Sequence, residues 1–209
     1  MKIDTLINRP VSVNPLTAEV EAKEFLGQIL TPISRQNIAA CNGTQYIDKE
    51  SYRLTIDGLV EHPLSLSYFD LQSFTQISQL AELNCVEGWN FTAKWAGPLL
   101  GEILDKAKVK SNARIAIFYT TDAPEGYSSM NISYIFKNRA LLALKDNDIT
   151  LAAERGFPFR VVAGNKYKWA KWVTRIELSS DTSFRGVSES SPYNAIFCKC
   201  HFWFPWWPW

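Results

Sequence analysis

"LNCVEGWNFTAKWAGPLL", residues 83–100, decides how the rest of the chain reads. The run "ISQLAELNCVEG" that leads into it reads as a strand entering a glycine turn, with Cys85 at or just past the strand end. Further on, "GPLLGEILDKAKV" sets Leu99, Leu100, Ile103, Leu104 and Ala107 at helical spacing, with Pro98 in the first turn. One thiol thus lies between a strand and a helix, among tryptophans and glycines. The plainest reading of such a cysteine is a small buried hydrophobe. A nucleophile needs a base close by. A metal ligand needs several protein donors, or a cofactor that brings its own.

The rest of the composition narrows these choices. The cysteines are Cys41, Cys85, Cys198 and Cys200, and their spacing is not that of a disulfide framework. His62 and His201 are the only histidines, which excludes HExxH and argues against a histidine-rich zinc site. GxGxxG, GxxxxGK[ST] and GxSxG are all absent, so the common nucleotide folds and the serine hydrolase elbow lack support. A length of 209 residues suits one domain or two small ones. With 46% hydrophobic and 21% charged residues the chain has the composition of a soluble globular protein. A net charge of +1 gives no bulk signal for nucleic acid or membrane. No run approaches the ~20 apolar residues of a membrane span. "MKIDTLINRPVSVNP" has no apolar leader core, so the chain as it stands reads as cytoplasmic, and as exported or periplasmic if a leader was removed.

Working outward, "SYRLTIDGLV" (51–60), "ARIAIFYTT", "FPFRVVA" and "KWVTRIELS" read as strands, and "RALLALKDNDITLA" as a hairpin around Asp146-Asn147-Asp148. "SLSYFDLQSF" reads as a short helix capped by Ser65 or Ser67. Residues 1–45 read as a surface wrap. Strands outnumber helices and do not alternate strictly with them. The expected class is α+β with a mixed, mostly antiparallel sheet and few short helices.

Two further stretches carry chemistry. Arg155 and Arg160 in "ERGFPFR", then Lys166, Lys168 and Lys171 in "NKYKWAKW", alternate with aromatic residues around a Gly-Phe-Pro turn. Most such runs are solvated faces, but arginine and lysine presented beside backbone N–H groups also make a phosphate seat. The tail "FCKCHFWFPWWPW" holds Cys198, Cys200 and His201, too few donors for a closed zinc site. Its Trp-Pro run suits a membrane interface.

Taken in order, "YRLTIDGLVEHPLSLSYFDL", "LNCVEGWNFTAKWAGPLLGEIL" and "ERGFPFRVVAGNKYKWAKWVTRIELS" resemble the sulfite oxidase superfamily. Within it they are most similar to the short prokaryotic molybdopterin-binding oxidoreductases related to the catalytic subunit of the periplasmic methionine sulfoxide reductase. The resemblance runs from about Thr31 to about Gly186. It implies an extension over 1–30, a molybdopterin-binding oxidoreductase domain over 31–186 with the sulfite-oxidase-type fold, and a divergent Trp/Pro-rich tail over 187–209. Relatives commonly read Gly-Tyr-Trp-Glu where this chain has Gly186-Val187-Ser188-Glu189.

The resemblance implies that Cys85 is the one protein ligand of a mononuclear molybdenum centre (or tungsten in its place), and so the catalytic position. A pterin dithiolene supplies two more sulfurs, so one thiolate is enough. It further implies that Asn37, Thr120, Arg155, Arg160, Trp169, Ala170 and Lys171 hold the molybdopterin, with Arg160 and Lys171 on its phosphate. Arg155 stands where relatives have histidine or asparagine. The implied activity is a two-electron oxidation or reduction with oxygen-atom transfer to or from a small molecule. Animal and plant sulfite oxidases line their pocket with arginine; Asn90 and Lys94 stand near the cysteine here, which argues against sulfite. The chain has neither a haem motif nor an iron–sulfur cysteine set, so electrons must pass to an external partner. The rival reading is a non-catalytic interaction or membrane-surface protein that uses the Trp-rich tail.

Overall fold

The computed structural model describes residues 18–40, 42–85, 88–164 and 169–189. Cys41, Val86, Glu87, Lys166, Lys168 and the tail residues Cys198, Cys200 and His201 therefore lie outside the described residues.

Thirteen strands and three helices are present among these residues. In chain order they are β1 (Glu24–Phe25), β2 (Gln28–Ile29), β3 (Leu54–Gly58), β4 (Leu64–Leu66), α1 (Tyr68–Ser73), β5 (Ile77–Asn84) and β6 (Asn90–Gly97). Then come α2 (Leu100–Ala107), β7 (Ile115–Thr120), β8 (Ala123–Asn131), α3 (Ile132–Lys137), β9 (Leu141–Ala143) and β10 (Lys145–Asp146). The last three are β11 (Ile149–Thr150), β12 (Arg160–Val162) and β13 (Val173–Ser179).

A five-stranded sheet has the order β4-β3-β13-β7-β8. The β13–β3 pair is parallel and the others are antiparallel, so the sheet is mixed. A four-stranded sheet, β11-β10-β6-β5, and two-stranded pairs β12-β9 and β1-β2 complete the strand pairing. This is the expected α+β arrangement. The central strand β7 is apolar because both of its faces are covered. Leu54, Ile56, Ile103, Leu104, Phe118 and Ile176 belong to the main core between the large sheet and the helices. A smaller core gathers Phe91, Trp95, Val162 and Trp169 behind the β5–β6 hairpin.

Local signals act where the sequence places them. Ser67, not Ser65, caps α1: its hydroxyl accepts from the Asp70 N–H, and the Asp70 carboxylate accepts from the Ser67 N–H. α2 begins at Leu100 with Leu99 as cap, so Pro98 stands just ahead of the helix and not in its first turn. Leu99 is extended and bridges to Leu141, which delays the first helical turn. The Asn147-Asp148 turn joins β10 to β11 with both residues at positive φ, the backbone that a two-residue hairpin turn requires.

Residues 18–31 are tied into the second sheet. Glu19 accepts from Lys145 Nζ and from the Thr150 N–H, and Glu21 accepts from the Ile33 N–H. At the other end, the Glu189 carboxylate accepts from the N–H groups of Gly186 and Ser129. Val187 and Ser188 donate to the carbonyls of Gly126 and Tyr127 on β8. The chain therefore keeps its hold on β8 through Glu189, although Val187 and Ser188 replace two aromatic residues expected there.

Candidate functional site

Cys85 stands one residue beyond β5, on the turn to β6. Its N–H donates to the Trp89 carbonyl (2.9 Å), and its own carbonyl accepts from the Gly88 N–H (3.1 Å). Gly88 has φ +88°, which a side chain rarely adopts, so the glycine lets the turn close. The thiol is half-buried and forms no disulfide among the described residues.

Arg160 opens β12 and Lys171 follows the loop after it; an isolated antiparallel bridge pairs the two. Residues paired in this way point to the same side. Arg160 is 7% exposed, and its guanidinium lies over the rings of Trp95 (5.2 Å) and Trp169 (5.8 Å). Its Nε has no hydrogen-bond partner among the described residues. Burial pulls the guanidinium down to about 10, against the opposing charge of Asp146. Lys171 Nζ donates to the carbonyls of Ala39 (2.6 Å) and Glu154 (3.1 Å) and lies over the Trp172 ring. Burial, then the Arg160 charge, brings its ammonium down to about 7.

Lys171 lines a cleft together with Ala39, Ala40, Asp122, Tyr127 and Trp172. Thr120, at the end of β7, is buried and donates its hydroxyl to Asp122 (2.7 Å), which holds the carboxylate at the cleft wall. Tyr127 on β8 is half-buried, and burial, then the Asp122 charge, pushes its phenol up to about 12. The Arg160 charge acts on this phenol in the opposite direction.

The other expected residues fall around this region in different ways. The Trp169 indole is buried against Trp95 at 5.7 Å and donates to the Gly164 carbonyl (3.0 Å). The Ala170 carbonyl accepts from the Val161 N–H and fixes the strand beside Arg160. Asn37 is exposed, on the segment that goes on to Ala39 and Ala40. Arg155 is 7% exposed, and its donors go to the protein: Nη1 to Gln36 Oε1 (2.7 Å), Nη2 to the Ile33 carbonyl (2.5 Å). Tyr127 and Asp122 carry no mark in the sequence, since neither lies in a charge run or beside the cysteine.

The donor set fits an anion. A buried guanidinium with an unpartnered Nε and a lysine desolvated to near neutrality both gain from a bound negative group. Gly156 adds a notch between them: a Cβ there would lie 3.0 Å from Lys171 Cγ and 3.2 Å from Arg160 Cβ. A single soft thiolate ligand suits a metal whose remaining ligands come with a cofactor. Among the described residues no group of three or more His, Cys, Asp or Glu is placed to hold a metal by itself.

Comparison with known proteins bears on this arrangement. Residues 42–186 match the family described as oxidoreductase molybdopterin binding domain. The oxidoreductase YuiH of Bacillus subtilis is 32% identical over 140 residues, covering 65% of this chain and 69% of that protein. The protein-methionine-sulfoxide reductase catalytic subunit MsrP of Campylobacter jejuni is 24% identical over 194 residues, 84% of this chain and 65% of that protein. The crystal structure of the sulfane dehydrogenase SoxCD from Paracoccus pantotrophus superposes with a TM-score of 0.64 at 23% identity. That match covers 86% of this chain but 56% of the SoxCD chain, and at that identity it shows a common fold.

Proposed function

The chain belongs to the oxidoreductase molybdopterin-binding domain family, and from that premise we propose that it catalyses a two-electron oxidation or reduction of a small molecule at one molybdenum centre. When bound, the molybdopterin supplies the redox couple and, with it, oxygen-atom transfer to or from the substrate. Tungsten in place of molybdenum is compatible with the same donors.

The chain's own residues hold and screen that group. Cys85, presented by the β5–β6 turn, is the proposed metal ligand and the residue at the reacting centre. Arg160 and Lys171 receive the phosphate, with the backbone at Trp169 and Ala170 beside them. Thr120 orders Asp122 at the rim, and Asn37 stands two residues before Ala39, which lines the cleft. Tyr127 stays protonated at neutral pH, so its hydroxyl is a fixed donor in the cleft. Arg155 stands behind the wall. No helix among the described residues is long and apolar enough to cross a membrane. Electrons pass to a separate partner.

One observation carries this reading: the buried Arg160 and the desolvated Lys171 are bridged to each other where Lys171 lines the cleft. Metal and pterin analysis of the purified protein tests it. About one molybdenum per chain, with a pterin, is expected for a single cofactor site. Protein free of metal and pterin that binds lipid vesicles supports the rival reading, a membrane-surface role for the tail.

A further inference from the structure

The segment from Thr31 to Ala40 brings Ala39 and Ala40 to the wall of the cleft, and it buries almost nothing of its own. Gln36 is its buried side chain, at 5% exposure; residues 37–39 are exposed. The 3-10 turn at Ile33–Arg35 has no buried residue. Polar contacts therefore set the position of this wall, since apolar burial is lacking. Beyond Thr31, whose N–H donates to the Thr92 carbonyl, most of these contacts converge on one buried cluster.

Gln36 is its hub. Its amide nitrogen donates to the Thr31 carbonyl (3.0 Å) and to Asp146 Oδ1 (3.2 Å), and its amide oxygen accepts from Arg155 Nη1 (2.7 Å). Arg155 Nη2 reaches the carbonyls of Ile33 (2.5 Å) and Gln36 (3.4 Å). Asp146 is 1% exposed, and its Oδ2 lies 3.7 Å from Arg155 Nη1, an ion pair without a hydrogen bond. The Arg155 and Arg160 charges oppose the effect of burial on this carboxyl. A guanidinium with its Nη groups committed to the wall and its charge matched by Asp146 is poorly placed to reach a cofactor.

We propose that Arg155, with Gln36 and Asp146, is a positioning element that fastens residues 31–40 as a wall of the cofactor cleft. On this reading Arg155 acts on the cofactor through the wall and not by direct contact. The reading rests on the proposed cofactor site only for what the cleft holds. The fastening itself is a property of the protein alone. It also gives a reason for arginine at a position where histidine or asparagine is expected: neither is long enough to span Gln36, Ile33 and Asp146 together.

Hydrogen exchange at the amides of 33–40, measured on cofactor-free protein, tests the fastening. Arg155→Met is expected to raise exchange there about tenfold or more, the scale of a lost charge-assisted hydrogen bond. Amides of β7 and β13 should stay as in the wild type. Arg155→Lys should restore part of the protection, since one donor can still reach Gln36. The double variant Arg155→Met, Asp146→Asn removes both buried charges, so it should recover thermal stability while the wall stays open. If Arg155→Met does not fold, Gln36→Leu cuts the hub and leaves Arg155 paired with Asp146; exchange at 33–40 should rise again. Unchanged exchange in the variants that fold overturns the proposal, and loss of cofactor alongside it would make Arg155 a direct ligand. Raised exchange in a protein that never carries molybdopterin leaves the fastening in place and removes the cofactor reading.

Discussion

Arg160 and Lys171 face one another across an isolated antiparallel bridge, and Gly156 fits against both side chains. Two cations held together in a desolvated place repel each other and cost free energy until an anion arrives. That relationship separates the stability of the empty protein from its hold on a cofactor, and it leads to opposite expectations for the two.

Arg160→Met should show this opposition. In the empty protein the guanidinium is buried against the rings of Trp95 and Trp169 with Nε unpartnered among the described residues, so a charge is held away from water at a cost. Methionine keeps most of the stem packing and removes the charge. The cofactor-free variant should melt at or above the wild-type temperature. Its hold on molybdopterin should weaken by about 2–5 kcal/mol, the scale of truncating one partner of a buried charge pair. Melting curves and pterin content per chain are the readouts. A destabilised empty protein with full pterin content would reverse the assignment.

Lys171 makes the empty protein sensitive to pH. Its ammonium titrates at about 7 in the folded chain, against 10.5 for an ordinary lysine. Between those values the unfolded chain binds the proton and the folded chain does not, so stability rises as pH increases. Below about 7 both states are protonated and the penalty is complete. Cofactor-free protein should thus gain thermal stability from pH 7 to 9, and Lys171→Met should flatten that slope. A bound phosphate raises the lysine again, so loaded protein should lack the slope as well. An identical slope in Lys171→Met would place the titrating group elsewhere.

Cys85→Ser should separate ligation from folding. The thiol is half-buried, and the Cys85 N–H and carbonyl bond to Trp89 and Gly88 through the backbone, which serine leaves in place. Serine there should change stability by no more than about 0.5–1 kcal/mol. The loss should appear in molybdenum content, the metal's spectrum and turnover. Serine at Cys41, Cys198 and Cys200 together should leave molybdenum content unchanged. Metal lost from the triple variant, or retained with full activity in Cys85→Ser, would contradict a single-thiolate centre.

Much of this was legible in the sequence where one chemical signal dominates. The apolar run of β7, the alternation of β3 and the serine cap ahead of α1, open between Ser65 and Ser67 in the sequence, each depend on neighbours close in the chain. β6 and β8 carry no such dominant signal. β6 alternates in burial, but its inward residues Phe91, Ala93, Trp95 and Gly97 are mixed in size and its outward ones include Thr92 and Lys94. β8 carries Pro124 and Gly126, which read as turn residues until the edge position of the strand is known. The site divides in the same way. Cys85 and the Arg160–Lys171 run are marked by local sequence, whereas Tyr127 and Asp122 enter only when β8 folds against the 169–172 segment. For Arg155 the sequence placed the residue, but only the fold shows Gln36 and the Ile33 carbonyl taking up its donors while Asp146 faces its charge.

Gly156→Ala tests whether the notch sets the cationic pair. Gly156 closes the 3-10 turn Ala153–Arg155 with φ +107°, a conformation that costs a side chain about 1–3 kcal/mol. An added Cβ would also lie 3.0 Å from Lys171 Cγ, 3.1 Å from Lys171 Cβ and 3.2 Å from Arg160 Cβ. Lys171 Cγ can swing aside, but Lys171 Cβ and Arg160 Cβ are both fixed by the bridged backbone that carries them. The pair should therefore spread apart, and an anion bridging it should lose one of its two contacts. Gly27→Ala is the control: it has φ +74° and nothing within 4 Å of the new Cβ, so it carries backbone strain without crowding. Both variants should melt earlier than the wild type. Gly156→Ala alone should also lose pterin and molybdenum. Equal cofactor content in the two alanine variants would show that the spacing of Arg160 and Lys171 does not depend on the notch.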